Sequence, residues 1–283
     1  MIERLEGTFF GHKDAELFYQ LWRPTETRGT IVVTHGIAEH SECYHAFANN
    51  LATDGWTVVG WDLRGHGKSE GKRGYVEDFN YYSLDLDAFI KFIKAQIHNR
   101  THPLYLFGHS MGGLITLKAV LQNAPGGIKA LLLSSPALGI SVAVPKFKEK
   151  AAHFLADWLP KVTLYNEINY HDLHKDKDLI KKYQVDPLRH EKISPRLYLG
   201  MVEAIKEVID HASEIHLPLL MQLAGQEKVV NTPESQRFFD LVGSKKKEIH
   251  IYPDSLHEIF NDLERDIVFR DLKNYLQKTA SQE

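Results

Sequence analysis

A single serine lies among small residues at positions 107–113, where the chain reads FGHSMGG. Gly108, Ser110 and Gly112 have the spacing G-x-S-x-G, which is that of a nucleophile elbow between a strand and a helix. A chance match to this spacing in one chain has a probability of roughly 0.1, so the flanking sequence decides. The motif follows the apolar run PLYLF and precedes LITLKAVLQ, which has helical periodicity. We therefore predict that Ser110 is a nucleophile held at the tip of a tight turn.

A serine hydroxyl becomes a good nucleophile only when a base removes its proton. The sequence has 16 histidines, so position must select the base. His257 lies in the loop that leaves the last predicted strand and is C-terminal to all the others, as the chain order of such sites requires. His250 falls inside that strand, and we expect the side chain of His109 to point away from Ser110. His257 is the predicted base.

Two further kinds of group must complete such a site. An acid orients the imidazole and stabilises its positive charge. Glu227 lies just past the predicted strand LPLLMQLAG and is the predicted acid, whereas Asp240 in the next helix is less well placed. Backbone N–H groups stabilise the oxyanion that forms during attack. We assign them to Met111, directly after the nucleophile, and to Ile37, in the loop after IVVTHG.

Short apolar runs alternate with helical segments along most of the chain. GTIVVTHG is a nearly continuous β-branched run, which is typical of a strand buried on both faces. The predicted strands are 29–36, 56–62, 103–107, 128–135, 217–225 and 247–253. The predicted helices between and after them are 43–55, 83–97, 114–122, 233–242 and 264–278. This alternation predicts an α/β fold with a mostly parallel central sheet flanked by helices.

The alternation stops at residues 136–215. This segment has no buried-strand run but contains two amphipathic helical patterns, at 146–159 and 195–209. We therefore predict a core formed by 1–135 and 216–283, with 136–215 inserted over it as a helical cap.

Composition and charge exclude several classes of function. A net charge of −3 and a pI near 6.6 give no electrostatic basis for nucleic-acid binding. The single cysteine, Cys43, cannot form an internal disulfide, which suits a reducing compartment. No apolar run is long enough to span a membrane, and MIERLEGTFFGHKDAE lacks the parts of a signal peptide. We expect a cytoplasmic protein that can still touch membrane surfaces.

Two other motifs look like binding sites but lack essential residues. GHGKS at 65–69 ends like a phosphate-binding P-loop, yet Asp62 stands where that motif requires glycine. His171 and His174 in HDLH could bind a metal, but no cysteine or carboxylate spacing supports a site. We expect a solvated surface there, and we expect neither a metal nor a cofactor.

Five segments together point to a family. HGIAEHSECY, WDLRGHGKSEG, GHSMGG, GQEKVV and YPDSLHEIFND resemble, in order and spacing, the monoacylglycerol lipase and lysophospholipase group of α/β-hydrolases. The resemblance covers nearly the whole chain. It implies a cofactor-free serine esterase with the α/β-hydrolase fold and a lid over an acyl-binding tunnel. By position, it implies Ser110 as nucleophile, Glu227 as acid, His257 as base, and Ile37 and Met111 as oxyanion donors.

The chain departs from the family pattern at four positions. Glu227 stands where the family usually has aspartate, and Ile37 stands where a small residue is common. Cys43 replaces an arginine that lies near the glycerol headgroup in monoacylglycerol lipases, and Phe260 replaces a histidine. Glu39 matches the family's polar headgroup contact. These departures leave the choice of headgroup open.

We expect from these residues an enzyme that releases fatty acid from single-chain lipids through an acyl-enzyme on Ser110. The alternatives are a general short-chain carboxylesterase on the same scaffold and a non-catalytic ligand-binding protein. Peripheral membrane contact is expected through the cap. The residues predicted to contact substrate are Glu39 and, in the cap, Phe147, Phe154, Trp158 and Met201.

Overall fold

One large sheet runs through the computed structural model, which describes residues 1–98, 101–123, 125–139, 152 and 154–281. The strands are β1 (Ile2–Phe10), β2 (Glu16–Pro24), β3 (Gly29–Thr34), β4 (Trp56–Trp61), β5 (Leu104–His109), β6 (Ile128–Ser134), β7 (Leu164–Tyr165), β8 (Lys192–Ile193), β9 (Leu219–Ala224) and β10 (Lys247–Tyr252). Eight of them form the sheet, in the order β1-β2-β4-β3-β5-β6-β9-β10. β2 is antiparallel to both of its neighbours, and all other neighbouring strands of this sheet are parallel. This arrangement confirms the predicted fold class.

Helices cover both faces of the sheet. They are α1 (His45–Thr53), α2 (Asn80–Gln96), α3 (Met111–Asn123), α4 (Lys177–Val185), α5 (Pro195–Asp210), α6 (Thr232–Leu241) and α7 (Arg265–Ala280). α1 and α7 pack on one face through Phe47 and Leu272, while α2 and α3 pack on the other through Phe89 and Leu117. These four helices thus bury an apolar stripe against the sheet.

The strands at the centre of the sheet are buried on both sides. Every residue of β3 and β5 is buried. Along β3, Ile31 and Val33 enter one core, and Val32 enters the other. Because successive side chains of a strand point to opposite faces, a strand between two helical layers has a continuous apolar sequence. The carboxyl ends of these parallel strands meet at one edge of the sheet, where the loops that carry Ser110, Glu227 and His257 begin.

The chain leaves the large sheet between β6 and β9. This stretch contains α4, α5 and the two-stranded antiparallel sheet β7–β8. α5 contacts α3 and begins at Ser194, whose hydroxyl accepts a hydrogen bond from the Leu197 N–H at 3.1 Å. Thus α5 corresponds to the predicted helix 195–209. Half of the other predicted helix, 146–159, lies outside the described residues. In the described half, residues 152 and 154–158 are helical.

No helix in the described part of the chain has both the length and the apolar composition needed to cross a membrane.

Candidate active site

Ser110 lies between the last residue of β5 and the first residue of α3. Its φ is 52°, in the left-handed region that residues other than glycine rarely adopt. Glycine next to the turn allows strand and helix to pack closely around it, because a Cβ at Gly112 would lie 2.1 Å from the carbonyl oxygen of Thr34. Such local strain is typical of a residue whose side chain must project from a tight turn. The turn therefore presents the Ser110 hydroxyl at the edge of the sheet.

The side chains of Glu227 and His257 are in contact and shielded from solvent. Nδ1 of His257 lies 2.8 Å from Oε2 of Glu227, and both side chains are 3% exposed. The second carboxylate oxygen accepts hydrogen bonds from the N–H groups of Val229 at 2.8 Å and Lys228 at 3.0 Å. The loop after β9 thus holds the carboxylate, and the loop after β10 holds the imidazole.

This pair has shifted pKa values in opposite directions. Burial raises the pKa of Glu227, but the charge and hydrogen bond of His257 and the backbone N–H donors outweigh it, so the pKa lies below the usual value. Burial lowers the pKa of His257, but the charge and hydrogen bond of Glu227 outweigh it, so this pKa lies above the usual value. The carboxylate is therefore ionised near neutral pH and stabilises a protonated imidazole.

Ser110 and His257 line one small cavity of about 20 Å³. Ile37 and Glu39 line the same cavity, and Met111 directly follows the serine. Neither the Ile37 nor the Met111 N–H donates a hydrogen bond to another residue in the described ranges. The structure thus brings together the predicted nucleophile, base, acid and oxyanion donors. Its chemistry is that of acyl transfer to a serine.

Comparison with known proteins assigns this chain to a family. The family model described as "Serine aminopeptidase, S33" matches residues 25–264. The chain belongs to this family. The match includes both strand-end loops and the nucleophile elbow, so it covers every part of the candidate site.

Curated relatives and a solved structure match this hydrolase over nearly its whole length. The monoacylglycerol lipase of Mycolicibacterium smegmatis is 29% identical over 275 residues, which cover 96% of this chain and 97% of the relative. The phospholipase YtpA of Bacillus subtilis is 30% identical over 250 residues, which cover 88% of this chain and 95% of the relative. The crystal structure of Paleococcus ferrophilus monoacylglycerol lipase is 28% identical, has a TM-score of 0.82 and is covered to 99%, as is this chain. These matches confirm the predicted resemblance and the predicted class of enzyme, a serine hydrolase of carboxylic esters.

Two buried polar residues of the hydrolase lie near the imidazole of His257. Burial and the neighbouring Glu258 raise the pKa of Glu39 to about 7. The ring of His109 packs 4.7 Å from that of His257, with its Nδ1 3.1 Å from the Ser134 carbonyl oxygen. Burial and the charge of His257 lower the pKa of His109 to about 3, so it stays neutral. Sequence reasoning placed His109 away from the nucleophile and did not predict its packing against the base.

The predicted substrate contacts of the cap lie elsewhere. Phe147 is outside the described residues. Phe154 and Trp158 are 61% and 73% exposed, and their rings stack on each other at 6.1 Å. Met201 is buried in the main core. None of these three described side chains lines the cavity that contains Ser110.

One cluster in the described residues has metal-ligand atoms close together. Atoms of His40, Cys43 and Asp186 lie within 4.8 Å of one another. Nε2 of His40 and Asp186 already pair at 2.9 Å, and burial raises the pKa of Cys43 to about 12, so the thiolate is disfavoured. The arrangement fits a hydrogen-bonded pair better than a metal site. Of the two HDLH histidines, His171 is exposed as predicted, whereas His174 is fully buried, contrary to the predicted solvated surface.

Sequence reasoning also missed a buried ion pair next to the cavity. Arg189 and Glu258 both line the cavity, and their closest charged atoms are 3.7 Å apart. Glu258 accepts a hydrogen bond from Tyr183 at 2.6 Å. For Glu258, the only signal in the sequence was its position directly after His257. For Arg189 there was none, since nothing in DPLRH shows that its arginine is buried.

Proposed function

We propose that this enzyme hydrolyses the acyl ester of single-chain lipids with Ser110, Glu227 and His257 as its catalytic triad. The observation that carries the proposal is the buried Glu227–His257 hydrogen bond at the rim of the cavity that contains the Ser110 elbow. The relatives named as a monoacylglycerol lipase and a phospholipase support the lipid substrate. The buried Glu227–His257 pair and the position of Ser110 thus support the same triad.

The first half of the reaction forms an acyl-enzyme. His257 removes the Ser110 proton through Nε2, and the serine oxygen attacks the ester carbonyl. The N–H groups of Ile37 and Met111 donate hydrogen bonds to the oxyanion, with the N-terminal end of α3 adding a favourable dipole. The protonated His257 gives its proton to the leaving alcohol as the C–O bond breaks.

The second half releases the fatty acid. A water molecule takes the place of the alcohol and loses its proton to His257 as it attacks the acyl carbonyl. The same N–H groups stabilise the second oxyanion. The tetrahedral intermediate then expels Ser110, which recovers its proton from the imidazole, so atoms and charges return to their starting state.

Residues 136–215 act in this proposal as a cap that admits the lipid. The cavity at Ser110 holds roughly one water molecule, so an acyl chain can enter only when the covering segment moves. The exposed apolar side chains Phe154, Trp158 and Leu164 lie on the outside of this segment. We propose that they rest on a lipid surface, because the transfer of exposed aromatic and aliphatic groups out of water is favourable.

A fluorophosphonate probe tests the nucleophile. Wild-type enzyme should be labelled and should lose activity, whereas Ser110→Ala should take up no label. Ser135→Ala is a matched control, since Ser135 is a buried serine that also has a positive φ but lies outside the described cavity. Equal labelling of the wild type and Ser110→Ala would assign the nucleophile to another residue, whereas no labelling of either protein would favour a non-catalytic ligand-binding protein.

Monoacyl esters of increasing chain length test the substrate class. The proposal expects kcat/KM to rise from acetyl to long acyl esters, because each added methylene contributes apolar contact. The small size of the cavity favours one other function, that of a short-chain carboxylesterase. A fall in kcat/KM with chain length would support that function instead.

A further inference from the structure

Arg189 is a buried cation that the catalytic steps do not use. It lies in the segment after α4, and its side chain is 3% exposed. Its guanidinium lies on the ring of Tyr183, with Cζ 3.4 Å from the ring centroid. An arginine stays protonated even when buried, so this position requires compensating interactions.

One edge of this guanidinium has no hydrogen-bond partner among the residues that the structure describes. Both Nε and Nη2 are buried and without a hydrogen bond. These two N–H groups form the planar fork with which arginine holds a carboxylate or phosphate through two parallel hydrogen bonds. An unsatisfied buried donor is costly, so the fork indicates a ligand that carries two acceptor oxygens.

Glu258 does not occupy this fork. Its Oε1 lies 3.7 Å from Nη2 of Arg189, beyond hydrogen-bond distance, and is itself without a partner in the described ranges. Its Oε2 accepts hydrogen bonds from Tyr183 at 2.6 Å and from Nδ2 of Asn261 at 2.8 Å. These bonds hold the carboxylate in place, so it balances the charge of Arg189 and leaves the fork available.

Arg189 lies where the catalytic cavity meets a larger cleft. It lines the cavity that contains Ser110, and it also lines a neighbouring cleft of about 480 Å³. Tyr170 lines both as well. An ester whose carbonyl lies at Ser110 would therefore place the group attached to its alcohol side between the two spaces, beside the guanidinium.

We propose that Arg189 binds the phosphate of a lysophospholipid and so selects it over a neutral monoacylglycerol. This inference rests on the proposed function, because it assumes a single-chain lipid ester at Ser110. Asp186 lines the cleft, and Glu191 lines both the cleft and the cavity that contains Ser110, so their carboxylates suit a cation joined to the phosphate. Lysophosphatidylcholine supplies both groups and is the probe of choice.

Substrate selectivity of an Arg189→Met variant tests the proposal. Methionine keeps apolar volume on Tyr183 but removes the fork. The kcat/KM for lysophosphatidylcholine should fall roughly 10- to 100-fold, as expected for losing hydrogen bonds to a charged group. The kcat/KM for a monoacylglycerol with the same acyl chain should stay within about twofold, because that substrate has no phosphate. Arg189→Lys should recover only part of the loss, since an ammonium cannot form the fork.

Two further variants separate recognition from folding. Arg189→Met combined with Glu258→Gln removes the pair without leaving one buried charge, and it should show the same selectivity change. Arg237→Met makes the same substitution at an exposed arginine and should leave selectivity unaltered. An equal loss on both lipids in the single and double variants would overturn the proposal and leave Arg189 a structural role.

Binding of glycerophosphocholine, measured by calorimetry, tests Arg189 without catalysis. Its Kd should be at least about tenfold weaker for Arg189→Met than for the wild type, whereas Ser110→Ala should bind it normally. Equal affinities would count against the fork as a phosphate site. If the wild type bound this probe through Arg189 but hydrolysed no lipid ester, the proposed function alone would fail.

Discussion

The hydrogen bonds of Glu227 determine which nitrogen of His257 carries the proton. Oε2 faces Nδ1 of His257 at 2.8 Å, and Oε1 accepts a hydrogen bond from the Val229 N–H at 2.8 Å. An ionised carboxylate has no hydrogen to donate, so Nδ1 must carry one. Nε2 then has a lone pair available for the proton of Ser110. The loop backbone and the carboxylate together select the imidazole tautomer that catalysis needs.

Glu227→Gln should reverse this tautomer. The backbone N–H groups still need an acceptor, so the amide oxygen should remain on them and the NH₂ should face Nδ1. Nε2 would then carry the hydrogen and could not accept the serine proton, so we expect kcat to fall by about 1,000-fold or more. Activity requires neutral His257 and is lost as the pH falls through its pKa. Because Glu227 raises that pKa, the acid limb of the remaining activity should move to lower pH. The pH dependence of kcat/KM on a soluble aryl ester measures both effects.

Glu227→Asp is the matched control for this prediction. It keeps the charge and shortens the side chain to the length that the family usually has, so it should retain far more activity than the glutamine variant. A glutamine variant as active as the wild type would show that Glu227 is not the orienting acid.

At the scale of residues, the sequence predicted the groups whose positions follow from chain order. Ser110, Glu227 and His257 each follow a strand of the parallel part of the sheet, and parallel strands bring those loops together. Arg189 and Glu258 were not predictable in the same way, because their burial depends on how the inserted segment packs on the core. A charged residue in a loop gives no local sign that its guanidinium will lie on Tyr183.

The elbow works as an element because the strand and helix that flank Ser110 pass close to β3. A Cβ at Gly112 would lie 2.1 Å from the Thr34 carbonyl oxygen and 2.5 Å from that of His35. Both atoms belong to backbone, so the contact cannot be relieved by rotating a side chain. The start of α3 must therefore move away from the sheet when any side chain is added there.

Gly112→Ala should destabilise the fold and displace the nucleophile. We expect the free energy of unfolding to fall by roughly 3 kcal/mol, measured by urea denaturation, because the clash involves main-chain atoms. Esterase activity should fall further than the folded fraction does, since Ser110 and the Met111 N–H lie on the displaced turn. Gly126→Ala is the control, because a Cβ there meets nothing within 4 Å. Similar stabilities for the two variants would contradict the packing argument.

At the scale of elements, the sequence predicted six of the eight strands of the large sheet and missed the first two. β1 is mostly exposed and pairs antiparallel with β2 at the edge of the sheet. Its sequence, IERLEGTFF, therefore lacks the continuous apolar run that identified central strands such as β3. α4 was also missed, because its short amphipathic pattern contains only two buried residues, Ile180 and Tyr183.

At the scale of the whole molecule, the cavity at Ser110 is small, while apolar side chains lie exposed on the inserted segment, other residues of which line that cavity. The cavity has a volume of about 20 Å³, whereas Phe154 and Trp158 are largely exposed. A lipid surface that covered those side chains would hold the covering segment against the source of substrate. Binding to the surface and admission of the lipid would then involve the same part of the chain.

The tryptophans of this chain allow that contact to be measured directly. Of the four, Trp22, Trp56 and Trp61 are buried, and only Trp158 is exposed. Adding phosphatidylcholine vesicles should shift the emission of Trp158 to shorter wavelength and protect it from acrylamide. Trp158→Ser should weaken vesicle binding roughly tenfold, because a large apolar side chain no longer leaves water. Its kcat/KM for a water-soluble short ester should be unchanged, since Trp158 does not line the cavity.

An exposed apolar residue outside residues 136–215 provides the comparison that makes this prediction specific. Leu263 is 70% exposed, close to the exposure of Trp158, but lies in the loop before α7. Leu263→Ser should bind vesicles as the wild type does if the cap is the contact surface. If both variants weakened binding equally, the attraction would be a property of the general surface, and the cap would have no special relation to lipid. If vesicles left the emission of the wild type unchanged, Trp158 would not enter the lipid surface, and access to Ser110 would require another explanation.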